Sequence, residues 1–254
     1  MAIGNTTYEN PAPEPKPEPS LAWKRALDIT CIVLLFPLWL PVMLAMSLWI
    51  KLVSPGPIIF RQQRIGHRGK RFMILKFRSM TVNADTGGHE KHFASLMKKN
   101  CPMTKLDAKG DSRVIPGFRL LRAMGLDELP QLFNVLRGEM SLVGPRPCTP
   151  FEFERYTLRQ ARRVEAPPGL TGYWQVNGKN KTTFTRMIAL DLVYARRMSF
   201  TLDVLIMLKT APALIGQVLE NRLAKRAAAA AEKKKNETMA ASLPVAFETE
   251  FTNL

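Results

Sequence analysis

The chain has 254 residues, with 37 Lys and Arg against 21 Asp and Glu, and 46% of its residues are apolar. That is enough for one domain with a sizeable core, and it excludes a wholly disordered protein. A net charge of +16 calls for an anionic partner (nucleic acid, phosphorylated substrate or anionic lipid), while three scattered cysteines, Cys31, Cys101 and Cys148, exclude a disulfide framework.

Residues 1–20 read as a Pro-rich leader carrying Glu9, Glu14 and Glu18, too polar to repay its ordering entropy and expected to be disordered. Next, 22 residues from Ile29 to Ile50 carry no charge. As a straight helix they would reach ~33 Å, enough for a hydrocarbon core of ~30 Å. An acidic leader argues against a signal peptide, and apolar residues on every face argue against a soluble helix. Pro37 and Pro41 each remove a backbone donor mid-segment, and basic residues flank both ends: Lys24 and Arg25 before, Lys51, Arg61 and Arg64 after. That pattern suits a helix re-entering the bilayer with both ends in the cytoplasm, although a kinked spanning helix satisfies the same residues.

Ser54-Pro-Gly-Pro57 is a turn cluster that stops the helix. Two apolar runs, Ile58–Phe60 and Phe72–Leu75, are separated by Gly66 and Gly69 and predict a β-hairpin. Seven basic residues and no acid fall between Arg61 and Arg78. They predict a patch on anionic headgroups, with Lys76 and Arg78 two apart on one strand face as candidate diphosphate ligands. No aromatic-interleaved or zinc-finger motif supports nucleic acid. His89, His92 and Cys101 are expected to be loop residues rather than metal ligands, inside a mixed-charge insertion from Thr81 to Gly110.

Leu129, Leu132, Phe133 and Leu136 give an i, i+3, i+4, i+7 stripe. Because Pro130 fits only a first turn, Asp127 is expected at or near the N-cap of that helix. Such pairs usually only cap. Here a carboxylate nucleophile, Asp127, stands beside a carboxylate suited to a hard divalent ion, Glu128. Arg122 lies upstream and Arg146 is held between Pro145 and Pro147. Together these are the components of phosphoryl transfer.

Several blocks carry a family resemblance: Lys24-Arg25-x-x-Asp28, Pro41, Gly56-Pro-x-x-Phe60-x-Gln62-x-Arg64-x-Gly66, Lys76-Phe-Arg-Ser-Met80, Leu126-Asp-Glu-Leu-Pro-Gln-Leu-x-Asn-Val-Leu136, Met140-Ser-Leu-Val-Gly-Pro-Arg-Pro147 and Pro168-Gly-x-Thr-Gly172-x-x-Gln-Val-Asn-Gly178. In that order, from about Trp23 to about Leu208, the chain resembles the bacterial sugar transferases, the monotopic phosphoglycosyl transferases that prime exopolysaccharide, capsule and glycoprotein assembly. With no further membrane helix before residue 20, it resembles their small form. The resemblance implies transfer of a sugar-1-phosphate from a UDP-sugar to undecaprenyl phosphate with release of UMP. It implies Asp127 as nucleophile and Glu128 as a ligand of Mg²⁺. Phosphate or substrate contacts are implied at Lys76, Arg78, Arg122, Arg146, Gln175 and Asn177. Lys24, Arg25, Asp28 and Pro41 form the re-entrant membrane motif, with the break at Pro41.

The implied fold is α+β and mainly helical. It comprises a disordered leader (1–20), a re-entrant membrane helix kinked near Pro41 (21–53), a compact cytoplasmic catalytic domain (54–222) and an Ala/Lys-rich tail (223–254). A small β-hairpin and interfacial amphipathic helices belong to the catalytic domain, which is placed on the cytoplasmic face of a bacterial inner membrane. Val204 to Ile215 is expected to be one such helix. Anionic lipids are expected partners, nucleic acid is not, and homo-oligomer formation is left open. Pro37 has no assigned role. Pro167 stands where many members carry arginine, with Arg162 or Arg163 as stand-ins, and the sugar is not specified. The competing readings are a membrane-anchored scaffold without turnover and a Mg²⁺-dependent phosphatase acting on the same lipid.

Overall fold

The computed structural model describes residues 21–80, 94–97, 99–102, 114–115, 117–178 and 182–216. The leader, His89, His92 and the tail from 223 lie outside the described residues, as does most of the 81–110 insertion.

Helix α1 (Ala22–Leu34) and helix α2 (Phe36–Val53) together hold the uncharged segment. The expected break near Pro41 is corrected: helical backbone is interrupted at Leu35, and Pro37 opens the first turn of α2. Leu35 N still donates to Cys31 O, at 3.0 Å. Continuing α1 past this point would require a donor from Pro37, which has none. The chain restarts instead, with Leu38 N and Trp39 N both donating to Leu35 O. The Ile32 carbonyl at the break is satisfied by Trp39 Nε1 at 2.9 Å. Pro41 sits inside α2, which remains helical around it.

In α2, Trp39, Met43, Met46 and Ile50 form one buried stripe at i, i+4, i+7, i+11. The opposite face is also apolar, with Leu52 74% exposed, and around the break Leu34 is 73% exposed. Water does not favour such a surface. Among the described residues, α2 is the one helix long and apolar enough to cross a membrane. As expected, it ends at the turn cluster, with Ser54 as its C-cap.

Strands β1 (Ile59–Ile65) and β2 (Arg71–Phe77) form the expected antiparallel hairpin, pairing Ile59 with Phe77 and Ile65 with Arg71. Its buried residues Phe72, Ile74 and Phe77 join Ile32, the α2 stripe, Phe118, Leu132, Val135 and Met140 in one core. The apolar segment is therefore packed into the domain that follows it.

A second sheet was not expected. Strand β3 (Ser141–Val143) pairs in parallel with β4 (Gly169–Thr171). The fit is so close that a Cβ on Gly144 would lie 2.1 Å from Pro167 O, and one on Gly169 would lie 2.0 Å from Gly144 N. Only hydrogen fits at either position, which ties the Val-Gly-Pro-Arg-Pro and Pro-Gly-x-Thr-Gly blocks together as backbone on backbone.

Helix α8 (Phe184–Arg197) and the helical residues 200–216 complete the described chain. To reach these labels in order, α3 is Phe118–Ala123, α4 is Gln131–Leu136, α5 is Pro150–Phe153, α6 is Leu158–Ala161 and α7 is Tyr173–Val176. The fold is thus mainly helical α+β, as expected. The helix expected at Val204 to Ile215 exists, with Ile206 buried and Leu205, Leu208 and Ile215 exposed.

Candidate active site

The acidic pair does not sit where its helix was expected to begin. Gly125, with φ +75°, turns the chain after α3, and Leu126–Glu128 forms a separate 3₁₀ turn. Pro130 is the N-cap of α4, so Asp127 lies three residues ahead of the cap rather than on it. The reason is packing: Leu132 and Val135 must reach the core from a helix of only six residues, Gln131–Leu136.

Three contacts fix this turn and helix against the rest of the fold. Lys76 Nζ donates to Glu128 Oε1 at 2.8 Å, bringing strand β2 to the acidic pair. Fully buried Asn134 acts as an extra strand on the edge of β2. Its Oδ1 accepts from Leu75 N at 3.0 Å and its Nδ2 donates to Met73 O at 2.8 Å. Arg25, from α1, donates both terminal nitrogens to the Val135 and Leu136 carbonyls at the C-terminal end of α4. The other members of that N-terminal motif act similarly. Lys24 pairs with Asp203 and donates to Tyr194 Oη at 2.9 Å, and Asp28 accepts from Ser141 Oγ at 3.0 Å and Leu142 N at 2.9 Å. Lys24, Arg25 and Asp28 thus bolt the foot of α1 to the elements that carry the site.

Arg146 stands on the loop after β3, partly exposed, with Nη1 3.7 Å from Glu152 Oε1. Its flanking prolines are only part of what holds it. Arg163 Nη2 donates to Arg146 O at 3.0 Å, and Arg64 Nη1 donates to Pro147 O at 3.3 Å, so two buried guanidinium groups grip consecutive carbonyls of this loop. Arg163 also donates to Tyr156 Oη at 2.9 Å and pairs with Asp191 at 2.5 Å. Burial, then the neighbouring Arg146 charge, lowers the Arg64 pKa to about 10, with Glu152 and Glu128 opposing. Burial pushes Asp191 up to about 6 despite Arg163 beside it.

The remaining candidates divide clearly. Arg122 Nη1 donates to Ser79 Oγ at 3.2 Å, at the end of the Lys76-Phe-Arg-Ser-Met block. Arg78 is buried, and its two terminal nitrogens donate to the Ser54 and Pro55 carbonyls. That guanidinium ties down the exit of α2, where a direct diphosphate contact was expected. Gln175 donates to Leu170 O at 3.2 Å and Asn177 to Tyr173 O at 2.7 Å, both within the β4–α7 turn. Trp174 lies in a buried cluster with Phe184, Met187 and Ile188. Arg163 is no replacement for an arginine at Pro167, since it lies fully inside the fold, and Arg162 pairs with Glu165 at the surface. Sequence reasoning missed Arg64, Asn134, Asp191 and the holding role of Arg163. Only Arg64 and Asn134 had a signal, as members of the blocks quoted above.

The family model for bacterial sugar transferases matches residues 19–217. The chain is 42% identical over 200 residues to the UDP-glucose:undecaprenyl-phosphate glucose-1-phosphate transferase of Caulobacter vibrioides, covering 76% of this chain and 69% of that protein. It is 37% identical over 199 residues to the undecaprenyl-phosphate galactose phosphotransferase of Salmonella typhimurium, where it spans 40% of the relative's length and 76% of its own. Against the exopolysaccharide production protein ExoY of Sinorhizobium fredii it is 36% identical over 191 residues, covering 75% of this chain and 84% of ExoY. The chain belongs to the bacterial sugar transferase family.

Proposed function

We propose that this chain is an enzyme that transfers a sugar-1-phosphate from a UDP-sugar to undecaprenyl phosphate, releasing UMP, as the priming step of exopolysaccharide or related glycan assembly. The names of its relatives support the reaction class. The single observation that carries the reading is the Lys76–Glu128 contact at 2.8 Å, which unites the basic hairpin with the acidic turn in one partly exposed place.

In the proposed reaction Asp127 attacks the sugar-proximal phosphorus. The bond to the UMP oxygen breaks and its electron pair leaves with UMP, giving a phosphosugar ester on Asp127. A phosphate oxygen of the lipid then attacks the same phosphorus and restores the carboxylate. Lys76, Arg122 and Arg146 supply positive charge for the phosphoryl oxygens. A covalent carboxylate keeps the anhydride energy only where water is excluded, which a site at a membrane surface provides.

The family also implies Mg²⁺. Among the described residues no group of three His, Cys, Asp or Glu is placed to hold a metal. An adjacent Asp and Glu fit the alternative, in which one or two carboxylates share the ion with substrate phosphates. Glu128 would hold it, and the ion would neutralise diphosphate charge.

The membrane arrangement we propose is a hairpin, with the exposed apolar turn around Leu35 inserted and the domain on the cytoplasmic face. Lys24 at one end and Ser54 and Pro55 at the other are all bonded into the same domain, which supports this reading. Cysteines placed at Asn5 and Thr86 should both react only from the cytoplasm; labelling from opposite sides would mean a spanning helix. The activity is tested with native membranes, undecaprenyl phosphate and a panel of UDP-sugars. UMP should appear with at least one donor. Release of inorganic phosphate from the lipid, without UMP, would make the protein a phosphatase.

A further inference from the structure

A groove of about 650 Å³ opens at the foot of α2. Its lining combines three cations, Lys51, Arg61 and Arg78, with the apolar side chains of Ile58, Ile59 and Phe60, and includes no acid. Lys51 belongs to the last turn of α2, where Leu48 and Leu52 are exposed apolar neighbours on the same helix end. Its lining also includes a residue of the strand pair that reaches the acidic turn. Phe60 is the cross-strand partner of Lys76, which holds Glu128, and Arg78 follows Lys76 by two residues on the same strand face. Arg78 is 6% exposed and fixed by the Ser54 and Pro55 carbonyls, so its charge forms part of the wall.

We infer that this groove receives the phosphate-bearing end of the polyprenyl acceptor. The first isoprene units lie against Ile58, Ile59 and Phe60, and Lys51, Arg61 and Arg78 draw the phosphate toward Lys76. The lining matches a ligand with one anionic end on an apolar chain. A nucleotide base could stack on Phe60 but would leave Ile58 and Ile59 unused, and a free phosphate would need none of the three. The proposal rests on the sugar-transfer reading and deepens it by naming where the second substrate enters.

The test uses the full chain in nanodiscs of neutral phosphatidylcholine, in two arms. In the first, Lys51→Gln and Arg61→Gln, both at exposed positions, are combined. The double variant should raise the KM for undecaprenyl phosphate at least about tenfold, since each lost charge weakens a lipid phosphate contact severalfold. The burst of UMP from donor alone should match that of the unaltered protein. An unchanged acceptor KM overturns the proposal. In the second arm, Phe60→p-benzoylphenylalanine should photolabel added undecaprenyl phosphate, and a tenfold excess of phosphatidylglycerol should not compete. Equal labelling of phosphatidylglycerol would show a headgroup site for bulk anionic lipid and overturn the proposal, as would no labelling. Photolabelling needs no turnover. If the unaltered protein gives no UMP burst, the sugar-transfer reading fails while the second arm still decides the groove.

Discussion

Asp127→Asn will abolish UMP release from the UDP-sugar donor, by four orders of magnitude or more, while the protein stays in the membrane fraction. Losses of that order follow removal of a covalent nucleophile, because every later step needs the intermediate. Asparagine keeps the shape and volume of the side chain, and Asp127 is only half-buried in a 3₁₀ turn, so the fold has little reason to change. The membrane attachment proposed above rests on α1 and α2, whose foot is held by Lys24, Arg25 and Asp28 rather than by Asp127. Incubated with donor alone, the unaltered protein should gain the mass of a phosphosugar and the variant should not. Turnover by Asp127→Asn at the normal rate would remove Asp127 from the nucleophile role.

Arg163→Met will strongly destabilise the fold. It removes the hold on Arg146 O, a bond to Tyr156 Oη and the partner of Asp191 together. Taking one member from a buried ion pair costs about 3–5 kcal/mol, which for a domain of this size lowers Tm by roughly 10 °C. The pH dependence should change with it. The folded pKa of Asp191, about 6, lies above the ordinary carboxylate value of 3.8. Between those values the folded protein binds a proton that the unfolded chain does not, so this group's contribution to stability falls as pH rises through that window. Without Arg163, burial acts on Asp191 with only the smaller effect of the Arg146 charge against it. The upper limit of the window moves upward, and the variant should regain part of its stability on acidification. Thermal melts in detergent across pH 5–8 would check this. Adding Asp191→Leu should restore much of the Tm but not the transferase activity, since Arg146 O stays unheld. Full activity in that double variant would reduce the buried pair to a packing element.

The contrast between Arg146 and Arg163 shows how far the primary structure could be read. Arg146 was legible because prolines on both sides announce a fixed backbone. Arg163 carries no local mark that separates it from the surface-paired Arg162; its burial is set by Asp191 and Tyr156, which only the folded chain brings together. Asn134 was visible inside a motif, but its task, closing the edge of β2 and so setting where Lys76 meets Glu128, was not.

From the amino-acid sequence alone came the apolar segment and its stop at Ser54, the basic hairpin, the Asp127-Glu128 pair and the family. Each rests on residue type and order along the chain: an uncharged run, side-chain period, turn chemistry or the sequence of motifs. Tertiary structure alone decided three things. It placed the break at Leu35, where Trp39 closes the freed carbonyl of Ile32. It joined two three-residue strands, too short to show any period, through Gly144 and Gly169. It also decided which cations stay partly exposed, such as Lys76 and Arg146, and which are buried, such as Arg64 and Arg163. Those choices depend on partners 83 residues apart for Arg64 and Pro147, and 179 apart for Lys24 and Asp203. Burial and charge pairing are properties of what lies nearby in space, and at such separations the order of residues along the chain does not record them.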